Sequence, residues 1–223
     1  MKIQTSKLMK ILSGASGAEE MLILCFSFCI GMLAFRMIYT GNVLFGFLAW
    51  NLFLAFVPYF FSSWIEKNIH KPKLILLAAV LSWLVFIPNT FYILTDLFHL
   101  DRNNEMPLWY DLALILSFAW NGLFLGILSV RQMERVFEKY FRKKSGILFI
   151  LPVMTLNGLG VFVGRYLRFN SWDIFADPFQ LMREMLYLFI HPIRNRFDWS
   201  MIVCYTVLLS VMYFSVKKLS KVL

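Results

Sequence analysis

The chain has 223 residues, of which 60% are hydrophobic and 16% are charged, and its formal net charge is +9. A soluble domain has about 45–50% apolar and about 25% charged residues, so this composition excludes an ordinary soluble domain and predicts an integral membrane protein. The positive charge does not indicate nucleic-acid binding, because the sequence has no soluble basic domain to carry it.

Six apolar runs follow one another along the chain, each close to the ~20 residues that an α-helix needs to cross a bilayer. They predict an all-α, polytopic transmembrane helix bundle that forms a single integral membrane domain over residues 1–223. The first run is too long for the core of a signal peptide, so we expect it to remain as an uncleaved span. The predicted spans are about 21–39, 43–65, 74–95, 109–130, 146–164 and 199–216.

Basic residues collect in four segments that lie on one side of the membrane if there are six spans. These segments are the two termini, the loop after the second span and the loop after the fourth span. The opposite side carries the acidic segment 96–109. The positive-inside rule therefore predicts that both termini are cytoplasmic. The loop predicted after the fourth span carries Arg131, Arg135, Lys139, Arg142, Lys143 and Lys144.

Residues 165–198 are too polar for two further spans and too long for a simple turn. Asp177 and Pro178 have the pattern of an N-cap followed by proline at the first helical position. Apolar side chains then recur on one face, which predicts an amphipathic helix over about 178–190. This helix is too short to cross the bilayer, so we expect it to lie in the outer interface or to enter the membrane as a re-entrant element. A partial seventh span is the alternative.

The third run closes on the segment "PNTFYILTDLFHL", residues 88–100. If this segment is helical, Asn89, Tyr92, Asp96 and His99 share one face. Pro88 removes a backbone donor, so we expect a kink or local unwinding there. Asn89 lies within the predicted hydrocarbon layer, and Asp96 and His99 lie at its outer edge. The polar face is therefore predicted to point into the bundle.

Two interpretations of this face remain open. In a structural one, Asn89 satisfies the broken backbone, Tyr92 anchors the helix in the interface, and Asp96 caps or pairs near the surface. In a functional one, Asp96 and His99 are ligands of a divalent metal, or they act as an acid and base pair.

The segment "NGLGVFVGRYLRFNSWD", residues 157–173, is the second candidate. Gly160 and Gly164 form a GxxxG pattern that allows a neighbouring helix to approach closely. Arg165 and Arg168 are predicted at the outer surface, where they contact either lipid phosphates or a dedicated anionic partner. That partner is an anionic ligand or one of Asp96, Asp111 and Asp173.

Three segments together resemble a known family: "PNTFYILTDLFHL", "LWYDLALILSFAWNGLFLG" and "GVFVGRYLRFNSWD". The chain resembles the bacterial integral membrane proteins known as domain of unknown function thirteen-sixty-one, across spans three to five. The resemblance implies no established activity. Family members usually have Ala-Pro where this chain has Thr90 and Phe91, which implies a milder kink. The motif positions are Asn89, Asp96, His99, Asp111, Arg165, Arg168, Asn170 and Asp173.

These residues predict a pocket at the outer leaflet of a bacterial cytoplasmic membrane. We expect it to hydrolyse an anionic lipid-linked or envelope substrate or to transfer a group to or from it. The alternatives are a substrate-binding subunit of a membrane transporter and an assembly partner of another membrane protein. The predicted catalytic residues are Asp96, His99 and Asp173, the first two being also the predicted metal ligands. The predicted substrate-binding residues are Asn89, Tyr92, Asp111, Arg165, Arg168 and Asn170.

Overall fold

The computed structural model describes residues 17–100, 105–141, 146–169 and 177–219. In these ranges all regular structure is helical, as the sequence predicts. The helices are α1 (Gly17–Thr40), α2 (Phe47–Lys67), α3 (Lys73–Phe86), α4 (Pro88–Tyr92), α5 (Leu108–Phe141), α6 (Gly146–Phe162), α7 (Pro178–Ile190) and α8 (Arg196–Leu219). Short 3-10 turns cover Leu44–Gly46 and Ile93–His99, and a π-helical turn covers Val163–Leu167.

Six spans of the predicted kind are present in the described ranges. A helix satisfies its own backbone hydrogen bonds, which is why long apolar segments adopt this form in a membrane. The outer surface of the bundle is apolar, since side chains such as Leu24, Phe28, Ile38 and Leu148 are exposed. The protein is therefore a multi-pass membrane protein. Its spans are Glu20–Thr40, Leu44–Lys67, Lys73–His99, Leu108–Phe141, Gly146–Leu167 and Arg196–Leu219.

The short connections define two ends of the bundle. Helices α2, α5 and α8 finish at one end, where α3 and α6 begin, and we call this the basic end because Lys67, Lys73 and Lys217 lie there. The opposite end, which we call the site end, holds the turn that finishes at His99 and the π-helical turn after α6.

Helix α5 is longer than its predicted span. Residues that the sequence analysis placed in a loop, including Arg131 and Arg135, continue the helix to Phe141. Arg135 donates to both carboxylate oxygens of Glu66 in α2, over 2.6 and 3.0 Å. The hydrophobic run ends near Val130, but the helix itself continues, and its polar side chains pair with a neighbouring helix.

The two glycines of the GxxxG pattern lie against the third span. A Cβ atom on Gly160 would lie 2.4 Å from the Cβ of Pro88, and one on Gly164 would lie 2.9 Å from the ring of Tyr92. The predicted close approach is confirmed. This glycine contact joins α6, which packs closely on α8, to α4, which packs with α2 and α5.

Replacing Gly160 with alanine is expected to destabilise the protein by about 1–3 kcal/mol, because the added methyl group must displace the proline ring. The matched control is Gly31→Ala in α1, where a Cβ would meet nothing within 4 Å. That control is expected to stabilise its helix by about 0.5–1 kcal/mol. Denaturant unfolding in detergent micelles measures both, and equal changes in the two variants would contradict the glycine contact.

The predicted short amphipathic helix is present as α7. Asp177 caps it, since the carboxylate accepts a hydrogen bond from the backbone N–H of Gln180 over 3.2 Å. Leu188 is buried against Phe162 and Ile202, so α7 packs on α6 and α8.

Candidate functional site

The third span is interrupted at the predicted proline. Helix α3 ends at Phe86, α4 begins at Pro88, and the chain winds as a 3-10 helix from Ile93 to His99. The Asn89 amide donates to the carbonyl oxygen of Phe86 over 3.0 Å, so it satisfies backbone at the break, as the structural interpretation requires.

The 3-10 winding changes how the polar face is presented. An α-helix has 3.6 residues per turn, whereas a 3-10 helix has three, so side chains three positions apart are eclipsed. Thr95 favours the tighter winding, because its hydroxyl donates to the carbonyl oxygen of Tyr92 over 2.7 Å. Asp96 and His99 therefore project from the same side of the turn.

Asp96 is buried in the bundle, with 1% of its surface exposed. The Asn51 amide in α2 donates to Asp96 Oδ2 over 2.8 Å. Asn51 did not figure in the sequence analysis. A polar residue within the apolar run 43–65 was the available signal, but nothing in the sequence links it to Asp96, which is 45 positions away.

Arg165 lies beside His99, so the structure brings two of the predicted site residues together. Its Nη2 is 3.4 Å from His99 Nδ1, and its guanidinium carbon is 5.0 Å from the ring centroid of Phe98. The Arg165 charge also acts on the Asp96 carboxylate. Arg165 sits in the π-helical turn, a backbone form that is frequent at functional sites. Asp96, His99 and Arg165 thus form one cluster, which we call the outer triad.

The contact with Arg165 defines the state of the His99 ring. A guanidinium group only donates hydrogen bonds, so His99 Nδ1 must accept and the neutral ring carries its proton on Nε2. The ring also lies 4.9 Å from the ring of Phe47, which limits its rotation. In this arrangement Nε2 of His99 is a hydrogen-bond donor.

The same contact bears on the predicted metal site. Nδ1 faces a cation and Nε2 carries the proton, so this arrangement presents no imidazole lone pair to a metal ion. In the described residues, no group of three or more His, Cys, Asp or Glu side chains lies together. The guanidinium group of Arg165 beside the ring suits the binding of an anion, and divalent metal binding by Asp96 and His99 stays a prediction.

A cavity of about 450 Å³ opens next to the outer triad. Its polar lining comes from Asn51, Asn89 and Tyr92, and Gly164 places Arg165 directly after the cavity wall. The rest of the lining is apolar: Trp50, Leu54, Leu81, Leu84, Val85, Pro88, Leu156, Leu159, Gly160, Val163, Phe169, Leu181 and Met185. The predicted residues Asn89 and Tyr92 therefore face a space large enough for a ligand.

Arg168 ends the π-helical turn in a left-handed conformation, with φ of 59°. This conformation is strained for a residue other than glycine. It reverses the chain so that the backbone N–H of Phe169 donates to the carbonyl oxygen of Val163 and Phe169 lines the cavity. The Arg168 side chain is exposed at the site end. Asn170 and Asp173, the remaining predicted residues of this segment, lie outside the described residues.

Asp111 has a partner that the sequence analysis did not consider. Arg36 in α1 donates to both of its carboxylate oxygens, over 2.8 and 3.2 Å, and the two side chains are 0% and 5% exposed. The guanidinium carbon of Arg36 also lies 4.2 Å from the ring centroid of Phe45. An arginine inside the apolar run 21–39 was the available signal, since ionisable residues within spans are seldom unpaired.

A second buried polar cluster lies near the basic end. Glu134 is fully buried, and its carboxylate accepts hydrogen bonds from Arg131 and Lys217, each over 2.6 Å, and from the Tyr213 hydroxyl over 2.7 Å. We call these four residues the inner cluster. It connects α5, which packs mainly on α2, to α8, which packs mainly on α6.

Comparison with known proteins gives one match. Residues 50–212 match the family described as "Protein of unknown function (DUF1361)". No curated protein and no solved structure matches the chain. The matched range contains the outer triad, the cavity lining and Asp111, but it begins after α1 and Arg36. Since this range covers most of the chain, the protein belongs to the family of proteins of unknown function DUF1361.

Proposed function

We propose that this protein binds an anionic substrate at the site end and catalyses its hydrolysis or a group transfer. The observation that supports this proposal is the contact of Arg165 with His99 beside buried Asp96, at the edge of a cavity. Ionisable groups that lie together beside a cavity are typical of functional sites, whereas a purely structural cluster does not need the cavity.

Each member of the outer triad has a role in the proposed reaction. Arg165, assisted by Arg168, binds the anionic group, since guanidinium groups donate paired hydrogen bonds to phosphate or carboxylate oxygens. Asp96 accepts the proton of the attacking water or hydroxyl group and passes it to the leaving oxygen, to which His99 donates a hydrogen bond from Nε2. Asn51 holds the Asp96 carboxylate in place, and Asp173 is proposed to orient these groups.

We place the site end outside a bacterial cytoplasmic membrane, with both termini in the cytoplasm. The support is the collection of lysines at the basic end, which follows the positive-inside rule. The orientation is measured by labelling a cysteine introduced with Ile193→Cys. Ile193 lies at the site end and is 86% exposed. The variant also lacks the native cysteines Cys25, Cys29 and Cys204, so that only the new cysteine reacts. A membrane-impermeant maleimide added to intact cells should label this cysteine. Labelling only after cell lysis would show that the site end faces the cytoplasm.

Removing the Arg165 charge is expected to weaken the binding of an anionic probe about tenfold or more, because a charge-assisted hydrogen bond is lost. The probe is butyl phosphate, titrated into purified protein by calorimetry. The variants are Arg165→Gln and Arg168→Gly, the latter because glycine suits the left-handed backbone. The control is Arg183→Gln, an exposed arginine of α7 at the same end. Equal affinity in all variants would contradict the proposal.

Catalysis is tested by complementation of a deletion strain. Asp96→Asn and His99→Gln are expected to abolish complementation while butyl phosphate still binds, which separates chemistry from binding. Full complementation by Asp96→Ala, His99→Ala and Arg168→Ala would contradict the proposed function.

Purification in mild detergent separates an enzyme from the two alternatives, a transporter subunit and an assembly partner. A stoichiometric ATPase partner would favour a transporter subunit, and a stoichiometric partner without ATPase activity would favour an assembly role.

A further inference from the structure

The cavity extends away from the outer triad toward the basic end of the bundle. Its polar lining, from Asn51, Asn89 and Tyr92, is confined to the part nearest the outer triad. Apolar side chains form the remaining walls, and those on α3 and α6 extend toward the basic end. They include Leu81, Leu84, Leu156 and Leu159.

The shape of the cavity indicates how much apolar material it can hold. At ~1.5 Å per residue, Leu81 lies ~16 Å from Tyr92 along the third span. A volume of about 450 Å³ spread over this length is a narrow channel with a mean cross-section of ~28 Å². A channel of this cross-section has room for one extended hydrocarbon chain.

The cavity is also accessible from the side of the bundle. Trp50 and Leu81 both line it, yet they are 51% and 53% exposed. Both residues belong to membrane spans, so this opening faces the hydrocarbon layer. A chain can therefore enter from the bilayer without passing through water.

We infer that the cavity binds the single hydrocarbon chain of an amphiphile whose anionic head group lies at Arg165. This inference rests on the proposed function and specifies its substrate class as a single-chain lipid with a phosphate or carboxylate head. Arg165 at one end of the channel complements an anionic head group, and the apolar walls within the spans complement a hydrocarbon chain. These two features together indicate a single-chain anionic lipid. A single chain matches the volume of the channel, and a short soluble anion leaves the apolar walls unoccupied.

Photolabelling at defined depth tests the inference. The probe is a long-chain alkyl phosphate with a diazirine at the far end of its chain, bound to purified protein in detergent micelles. We expect mass spectrometry to find the label on the α3 and α6 peptides that contain Leu84 and Leu156. An isomer with the diazirine beside the phosphate should label the peptides around Tyr92 and Phe169.

A matched pair of tryptophan variants provides the control. Leu156→Trp fills the channel and is expected to reduce the deep label about tenfold. Leu148→Trp lies on the same helix, does not line the channel and is 83% exposed, so it should leave the label unchanged. Both variants should still bind butyl phosphate, which needs only the outer triad.

Competition identifies the chain. Unlabelled single-chain alkyl phosphate or polyisoprenyl phosphate should displace the probe. The lipid that displaces it at the lower concentration identifies the type of chain that the channel prefers. A diacyl phosphate should not displace it. Displacement by the diacyl lipid, or label spread over outward-facing residues such as Leu148, would overturn the inference.

The two proposals fail in different ways. If butyl phosphate binds through Arg165 but the deep label is absent, the inference is wrong and the proposed function stands. If butyl phosphate does not bind and Arg165→Gln keeps the deep label, anion binding at the outer triad is wrong.

Discussion

Replacing Arg36 with methionine is expected to destabilise the protein by about 3–5 kcal/mol, because Asp111 becomes a buried carboxylate without its cation. Both side chains are almost completely inaccessible, so solvent cannot take the place of the lost partner. The loss should appear as a lower denaturant midpoint in detergent micelles, measured by circular dichroism.

The double variant Arg36→Met with Asp111→Leu separates this explanation from a general defect of packing. Replacing both partners of a buried ion pair by apolar groups is often neutral or stabilising. We therefore expect the double variant to recover most of the stability, with a large coupling free energy between the two positions. A double variant as unstable as the single one would show that the charge pair is not the cause.

Replacing Glu134 with leucine is the second change with a large expected effect, a loss of about 3–5 kcal/mol. It removes the carboxylate that Lys217 and Arg131 contact, which is also the acceptor of the buried Tyr213 hydroxyl. Because the inner cluster connects α5 to α8, α8 should become more accessible to protease at the basic end. Unfolding in micelles and limited proteolysis measure the two effects.

Glu66→Leu is the matched control for Glu134→Leu. Glu66 also pairs with an arginine of α5, Arg135, but those side chains are 33% and 49% exposed. An exposed ion pair contributes about 0–1 kcal/mol, so this variant should remain close to the wild type. Equal losses at Glu66 and Glu134 would mean that burial does not determine the contribution of these pairs.

Local signals in the sequence predict the helices well. In a membrane every backbone donor and acceptor needs a partner, and a helix provides these partners within one continuous segment. Length and apolarity therefore predict the six spans, and Pro88 predicts the interruption of the third. Asp177 predicts the start of α7 because a cap depends only on its neighbours along the chain. The close approach at Gly160 follows equally from residue size.

The partners of the polar side chains depend on how the helices pack, so the sequence does not reveal them. The sequence allows Asp111 to pair with Arg165 or Arg168, whereas the structure pairs it with Arg36. Asn51 and Glu134 were not considered, although each contacts an ionisable group.

The sequence by itself determined the fold class, the number of spans and the polar segment that borders the cavity, since these depend on neighbouring residues. Only the tertiary structure decided that Asp96 contacts Asn51, that Arg165 contacts His99, and that an apolar channel lies next to them. Hydrogen bonds and ion pairs act over a few ångströms, so residues that are distant in the chain become partners only after the helices have packed.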